Sequence, residues 1–247
     1  MITFSFTKIQ VFDTIKGMKI LITSGGTSEK IDQVRSITNH STGQLGSILA
    51  RYFSEKGDEV TLITTKKAIK PEARSNLTIQ LIENVNDLLE TLEPLVKTHQ
   101  VLIHAMAVSD YTPVYMADFE QVQKARDLQA FLHQENQESK ISSSSDYQVL
   151  FLKKTPKIIS YVKDWNPTIS LIGFKLLVDV SREELLDVAR RSLIHNQADL
   201  IVANDLADIG TEQHRAYLVE RDKVTPVATK EEIAQTLYSY IHRRKAL

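Results

Sequence analysis

Six short apolar runs rich in β-branched residues, at 18–23, 60–64, 77–82, 101–106, 169–174 and 200–203, are separated by longer stretches with helical spacing. This alternation constrains the chain more than any other feature. Unbroken apolar runs are the mark of strands buried on both faces. Strands that alternate with helices require right-handed crossovers and therefore a parallel sheet. Residues 42–56 place Leu45, Ile48, Leu49, Tyr52 and Phe53 on one helical face, with Ser41 as the expected N-cap and Gly57 at the C-terminal end. Residues 85–97, 181–194 and 230–244 read as further helices, the second opened by the Ser181–Glu184 capping box. Residues 215–227 read as a hairpin around Asp222. The expected fold is α/β: a three-layer α/β/α, Rossmann-like arrangement with a mostly parallel sheet, plus a small β-hairpin and flap region.

Two stretches interrupt the pattern. Residues 1–17 precede the first clear strand and are expected to be a disordered extension, leaving 18–247 as a single domain. Residues 112–145 read as an insert and mobile flap, of which 118–145 is a polar, helix-like segment with a partial apolar face of Phe119, Val122 and Phe131, ending in four serines. The chain of 247 residues has no cysteine, which removes disulfides, thiolate metal sites and a cysteine nucleophile, and fits a reducing cytoplasm. A net charge of −1 argues against nucleic acid or an anionic membrane as the main partner. No apolar run reaches the roughly 18 residues that span a bilayer.

In open parallel sheets, ligands bind beyond the carboxyl ends of the strands. Ser24-Gly25-Gly26-Thr27, Ala105-Met106-Ala107-Val108-Ser109-Asp110, Phe174-Lys175 and Asn204-Asp205 fall there. Gly25-Gly26 lets backbone N–H groups approach a phosphate, and serves equally as an ordinary turn. Residues 31–43 form a long polar loop running into a helix. Its Arg35 offers a fork for carboxylate or phosphate, or a structural ion pair; Asn39 is an uncharged donor of the oxyanion-stabilising kind. Asp110 reads as a ribose or metal ligand, or as a turn residue. Lys140 stands before the serine run as a candidate flap cation, and Thr155-Pro156-Lys157 as the start of a second helix suited to phosphate. The 7 histidines lack His-Glu-x-x-His spacing, and no Gly-x-Ser-x-Gly elbow is present. An NAD(P)-dependent oxidoreductase would need a complete G-x-G-x-x-G and an acidic residue after the second strand, where Thr64-Thr65-Lys66-Lys67 stands. A non-catalytic nucleotide sensor is the other alternative.

The blocks Gly25-Gly26-Thr27-Ser28-Glu29, Ile31-Asp32-x-Val34-Arg35-x-Ile37-Thr38-Asn39-x-Ser41-x-Gly43, Ala107-Val108-Ser109-Asp110-Tyr111, Lys140-Ile141, Lys154-Thr155-Pro156-Lys157-Ile158-Ile159, Gly173-Phe174-Lys175-Leu176 and the run 198–204 occur in order. Together they closely resemble the signature of the phosphopantothenate–cysteine ligases. The resemblance implies coupling of 4′-phosphopantothenate to L-cysteine in coenzyme A biosynthesis, through an acyl nucleotide made from CTP, or ATP, with Mg²⁺. It makes Asn39 and Lys140 the catalytic residues, and Arg35, Asn39, Gly43 and Ala107 the substrate-binding ones. It assigns the nucleotide to Gly25, Gly26, Ala105, Met106, Asp110, Lys140, Pro156, Lys157, Ile158, Ile159 and Phe174, and leaves the metal ligands unknown. It further implies a homodimer, with residues 146–152 and 112–139 as interface candidates, and a separate polypeptide that decarboxylates the product. The chain departs from the bacterial bifunctional members of that family in two places. Serines rather than lysines follow Lys140-Ile141, and Ser192 and Asn196 stand where those members carry helix lysines.

Overall fold

The computed structural model describes residues 17–136, 139–142, 144–210 and 213–245. The expected disordered extension lies outside the described residues, apart from Gly17. The chain first forms β1 (Lys19–Thr23), then the short strands β2 (Ser28–Lys30) and β3 (Ser36–Thr38), α1 (Gln44–Glu55), β4 (Glu59–Thr65), β5 (Leu77–Ile82) and α2 (Val85–Val96). It continues with β6 (Val101–His104), β7 (Tyr111–Asp118), α3 (Phe119–Lys124), β8 (Gln148–Lys154), α4 (Val162–Trp165), β9 (Ser170–Leu177), α5 (Arg182–His195) and β10 (Leu200–Asp205). The hairpin β11 (Ala216–Val219) and β12 (Val224–Val227) and the helix α6 (Lys230–Lys245) close it.

Eight strands form one sheet in the order β12-β11-β10-β9-β6-β1-β4-β5. Pairing is parallel from β5 through to β10, and the last hairpin adds antiparallel to that edge. The apolar runs explain the layers. Leu21, Ile63, Leu102, Leu171 and Ile201 face a core closed by α2, α4 and α5. Their alternating neighbours Ile20, Ile22, Leu62, Ile103, Ile172 and Val202 face a second core closed by α1 and α6. The inner strands β1, β4, β6, β9 and β10 therefore bury both faces, which is why their runs are continuous rather than alternating. Across the second core, Tyr52 and Phe53 of α1 meet Tyr238 of α6 edge-on.

The three-layer expectation and all six strands hold, with boundaries shifted by up to three residues. Local chemistry diverges at two helix starts. Ser41 does not cap α1; the N-cap is Gly43 in the left-handed region at φ 75°, with no side-chain cap. Thr155-Pro156-Lys157 does not open an α-helix, because the Thr155 hydroxyl donates to the Ser109 carbonyl at 2.5 Å and a 3₁₀ turn begins only at Ile158. Ser181 does cap α5, accepting from the Glu184 N–H at 3.1 Å. Among its described residues the helix-like segment 118–145 yields α3 and a 3₁₀ turn, flanked by β7 and β8, which pair antiparallel outside the main sheet.

The strand order reverses between β1 and β6. From β1 the chain builds outward through β4 and β5, then returns to lay β6 on the other edge of β1. Beyond these two strands their following loops continue the pairing as a narrow seam. Gly26 bridges Ala107 in parallel, the Ala107 N–H donates to the Gly25 carbonyl at 2.8 Å, and the Thr27 N–H donates to the Ala107 carbonyl at 3.1 Å. The buried Thr27 hydroxyl then donates to Ser109 Oγ and accepts from the Ser109 N–H, both at 2.9 Å. At the root of the seam, buried Thr23 and His104 share a 2.8 Å hydrogen bond.

Thr27→Val keeps the shape and strands both Ser109 groups, so it should cost about 1–3 kcal/mol of stability, while Thr27→Ser should cost less; urea unfolding measures both, and equal losses would contradict the hydroxyl's role. Burial, reinforced by the Lys157 charge, pushes the His104 imidazole down from 6.5 to about 4. Between those values the unfolded chain holds a proton that the folded chain does not, so stability falls as pH falls from 6.5 towards 4. His214 and His99 shift in the same direction. His104→Gln should therefore make the acid limb of a stability–pH curve shallower without abolishing it; an unchanged slope would assign the effect elsewhere.

Candidate active site

Two cavities flank the seam. The larger, about 680 Å³, opens beside Gly26 under the β2–β3 hairpin and the loop that follows it. Asp32, Arg35, Asn39 and Ser41 line it from that side, and Thr65, Lys66, Lys67 and Ala68 from the loop after β4. Asn39 is held close because its carbonyl lies over Gly26, where a Cβ would sit only 2.3 Å from it. Gly43 comes into the same cradle as the Ser24 hydroxyl donates to its carbonyl at 3.0 Å. The cavity thus joins the Asn39 carboxamide to the side chains of Lys66 and Lys67, while Asp32, Glu83 and Asp87 add carboxylates to its wall and two of these pair with Arg35 and Lys30.

Arg35 is not free to act alone. Its Nε donates to Asp32 Oδ2 at 2.9 Å, and Nη2 donates to Asp32 Oδ2 at 2.5 Å and to the Ile141 carbonyl at 2.8 Å. Asp32 also accepts the Val34, Arg35 and Ile141 N–H groups. The Arg35 guanidinium and these amides hold its carboxyl well below the usual carboxylate range. The result is a clasp: the segment carrying Lys140 is tied at Ile141 to Asp32 and Arg35, and at Ser139, whose carbonyl accepts from the Gln33 N–H at 3.1 Å. Lys140 is exposed between these two anchors, beside the larger cavity.

The smaller cavity, about 130 Å³, lies on the other side of the seam, past the ends of β6 and β9. Met106, Asp110, Pro156, Lys157, Ile158, Ile159 and Phe174 all line it, as do His104, Lys175, Ser192 and Asn196. Seven residues from three separate sequence blocks are thereby gathered into one wall. Lys157 Nζ donates to Asp110 Oδ1 at 3.0 Å with both side chains about two-thirds exposed. Such an exposed pair is worth at most about 1 kcal/mol, so either member exchanges readily onto a charged ligand. Gly25, Gly43, Ala105, Ala107 and Lys140 line neither cavity; the first four build the seam and its cradle from backbone.

Some lining residues escape motif reading. Lys66 and Lys67 read only as the absence of an acidic residue, and His104 as one more strand position. Their signal is positional, since each stands at the carboxyl end of a parallel strand. Among the described residues, no group of three or more His, Asp or Glu side chains converges as a metal site. None of the described helices is long and apolar enough to cross a membrane.

A crystal structure described as the DNA/pantothenate metabolism flavoprotein from Streptococcus pneumoniae is 60% identical, superposes with a TM-score of 0.89, and covers 92% of this chain and 100% of that one. The C-terminal domain of a coenzyme A biosynthesis bifunctional protein CoaBC is 26% identical with a TM-score of 0.70, covering 94% and 97% of the two chains. Among curated proteins, the bifunctional CoaBC of Thermococcus kodakarensis is 34% identical over 232 residues, which is 93% of this chain and 52% of that protein. The chain thus spans about half the length of the curated relatives it matches. The family model of the DNA/pantothenate metabolism flavoprotein C-terminal domain matches residues 15–244, and the chain belongs to that family.

Proposed function

We propose that this chain is a phosphopantothenate–cysteine ligase, coupling 4′-phosphopantothenate to L-cysteine at the expense of a nucleoside triphosphate, CTP rather than ATP. The observation that carries the reading is the pair of cavities on one seam. The Asn39 cavity suits the acid substrate, and the Asp110–Lys157 cavity suits the nucleotide. Kinship with CoaBC proteins supports the same chemistry. A carboxylate is a poor electrophile, so its oxygen attacks the α-phosphorus, pyrophosphate leaves, and an acyl nucleotide forms. The cysteine amine then attacks the acyl carbon and the nucleoside monophosphate departs.

Each residue has a part in this sequence. The Asn39 carboxamide donates to the acyl oxygen, where negative charge grows as the amine adds; losing one such donor costs about 3 kcal/mol of barrier. Lys157, released from Asp110, and Lys140 on its anchored segment offset phosphate charge. The Gly25-Gly26 turn brings backbone N–H groups near the same oxygens. Arg35 acts mainly through its clasp, which holds the Lys140 segment beside the acid cavity and limits water around a hydrolysable intermediate. Mg²⁺ supplies charge neutralisation on a triphosphate. The residues present fit a cation that arrives with the phosphates, since Asp110 is the carboxylate on the small cavity's wall.

The protein is further proposed to act in the cytoplasm as a homodimer, its product passing to a decarboxylase. Phe119, Leu128, Leu132, Tyr147 and Leu152 expose apolar surface on the β7–β8 unit, the region expected to pair.

With 4′-phosphopantothenate, cysteine and CTP, pyrophosphate release should be rapid, slower with ATP, and absent without nucleotide. Binding of CTP with no release under any of these conditions would make the chain a sensor instead. Asn39→Asp should form the acyl nucleotide yet make amide about a hundredfold more slowly, as followed by single-turnover trapping; full turnover would remove the role given to Asn39. Lys140→Gln should lower turnover more than nucleotide affinity, and calorimetry beside initial rates separates the two.

A further inference from the structure

Asn196 is the C-cap of α5, and its backbone N–H donates to the Ser192 carbonyl at 3.1 Å. Its side-chain Nδ2 donates to the same carbonyl at 2.9 Å and to Ser192 Oγ at 3.2 Å. A backbone carbonyl can only accept, so the orientation of the carboxamide is settled, and Oδ1 is the atom turned away from Ser192. Asn196 is 92% buried by its 8% exposure, and no donor among the described residues reaches Oδ1. Four buried side-chain atoms share that condition among the described residues. Of their four residues, Asn196 is the one that lines the cavity assigned to the nucleotide.

A buried acceptor without a donor costs about 1–3 kcal/mol, a cost that a ligand N–H removes. The rest of the wall narrows what that ligand group is. Ile158, Ile159, Met106 and Phe174 present apolar surface, as the faces of a flat ring require. The charged pair Asp110–Lys157 belongs to the same cavity and suits the phosphate end of a ligand.

We infer that Asn196 reads the base of the nucleotide, its Oδ1 accepting from an exocyclic amine, with Ser192 as the positioning residue that fixes the carboxamide. This rests on reading the small cavity as the nucleotide site. Cytosine and adenine carry such an amine; uracil and guanine present a carbonyl at the corresponding edge, which sets two acceptors against each other and leaves Oδ1 unpaired. The selection is thus made by hydrogen-bond polarity, a discrimination that a purely apolar slot does not achieve.

The test compares kcat/KM for pyrophosphate release with CTP, UTP and the CTP analogue whose 4-amino group is replaced by hydrogen. In the unaltered enzyme, CTP should exceed both of the others by about tenfold or more. Asn196→Ala should bring the three values together by lowering that for CTP, and Asn196→Asp, whose carboxylate cannot donate to the Ser192 carbonyl and so loses its fixed orientation, should raise KM for CTP. Lys157→Ala should raise KM for all three nucleotides alike. Equal rates for CTP and its deamino analogue in the unaltered enzyme overturn the inference without needing a folded variant, as does discrimination that survives Asn196→Ala. If Lys157→Ala leaves every KM unchanged, the placement of the nucleotide in this cavity fails instead, and the two failures are thereby told apart.

Discussion

Every part of the site depends on β1 being paired in parallel on both edges, to β4 and to β6. Two parallel neighbours end at the same level, so the loops leaving β1 and β6 emerge side by side, and here they go on bonding past the strands. The Gly26–Ala107 bridge and the Thr27–Ser109 exchange convert what would be a crevice into a ridge with a cavity on each flank. The proposed reaction, which passes an acid onto a nucleotide and then onto an amine, benefits from that arrangement. In it the acid and the nucleotide are bound from separate loops yet meet over one backbone line.

Charge is distributed to match. In the structural ion pair the Asp32 side chain is fully covered and collects Arg35 and three amides, which makes it a fixed clasp between the loop after β2 and the Lys140 segment. The Asp110–Lys157 pair in the smaller cavity is exposed and weak, which leaves it free to rearrange around a charged ligand. One pair holds geometry and the other is available for exchange. Burial keeps His104 uncharged at neutral pH, so it adds no further cation to the wall of the smaller cavity.

Much of this was legible from residue order. Strands buried on both sides write themselves as unbroken apolar runs, and helices as amphipathic ones, so the layers and the sheet edge that carries the site followed directly. The two misreadings at helix starts have different causes. Ser41 and Thr155 have the chemistry of helix caps, but a longer-range partner prevailed in one case, the Ser109 carbonyl for Thr155, and a left-handed glycine took the cap in the other. The strands β2 and β3 have three residues each, and β7 and β8, though longer, likewise pair outside the main sheet, so all four lack the double burial that makes a strand visible.

The sequence by itself determined the fold class, the sheet edge on which polar residues gather, and the family, because these depend on local periodicity and on motif order. Tertiary structure alone decided how those residues are divided. It separated Asn39 from Asp110 across the seam, tied the Asp32–Arg35 pair to the Lys140 segment, and left Asn196 Oδ1 without a donor among the described residues. The physical reason is that a hydrogen bond between positions a hundred residues apart has no local signature. Whether a polar group is satisfied, exposed or left waiting for a ligand is a property of its neighbours in space.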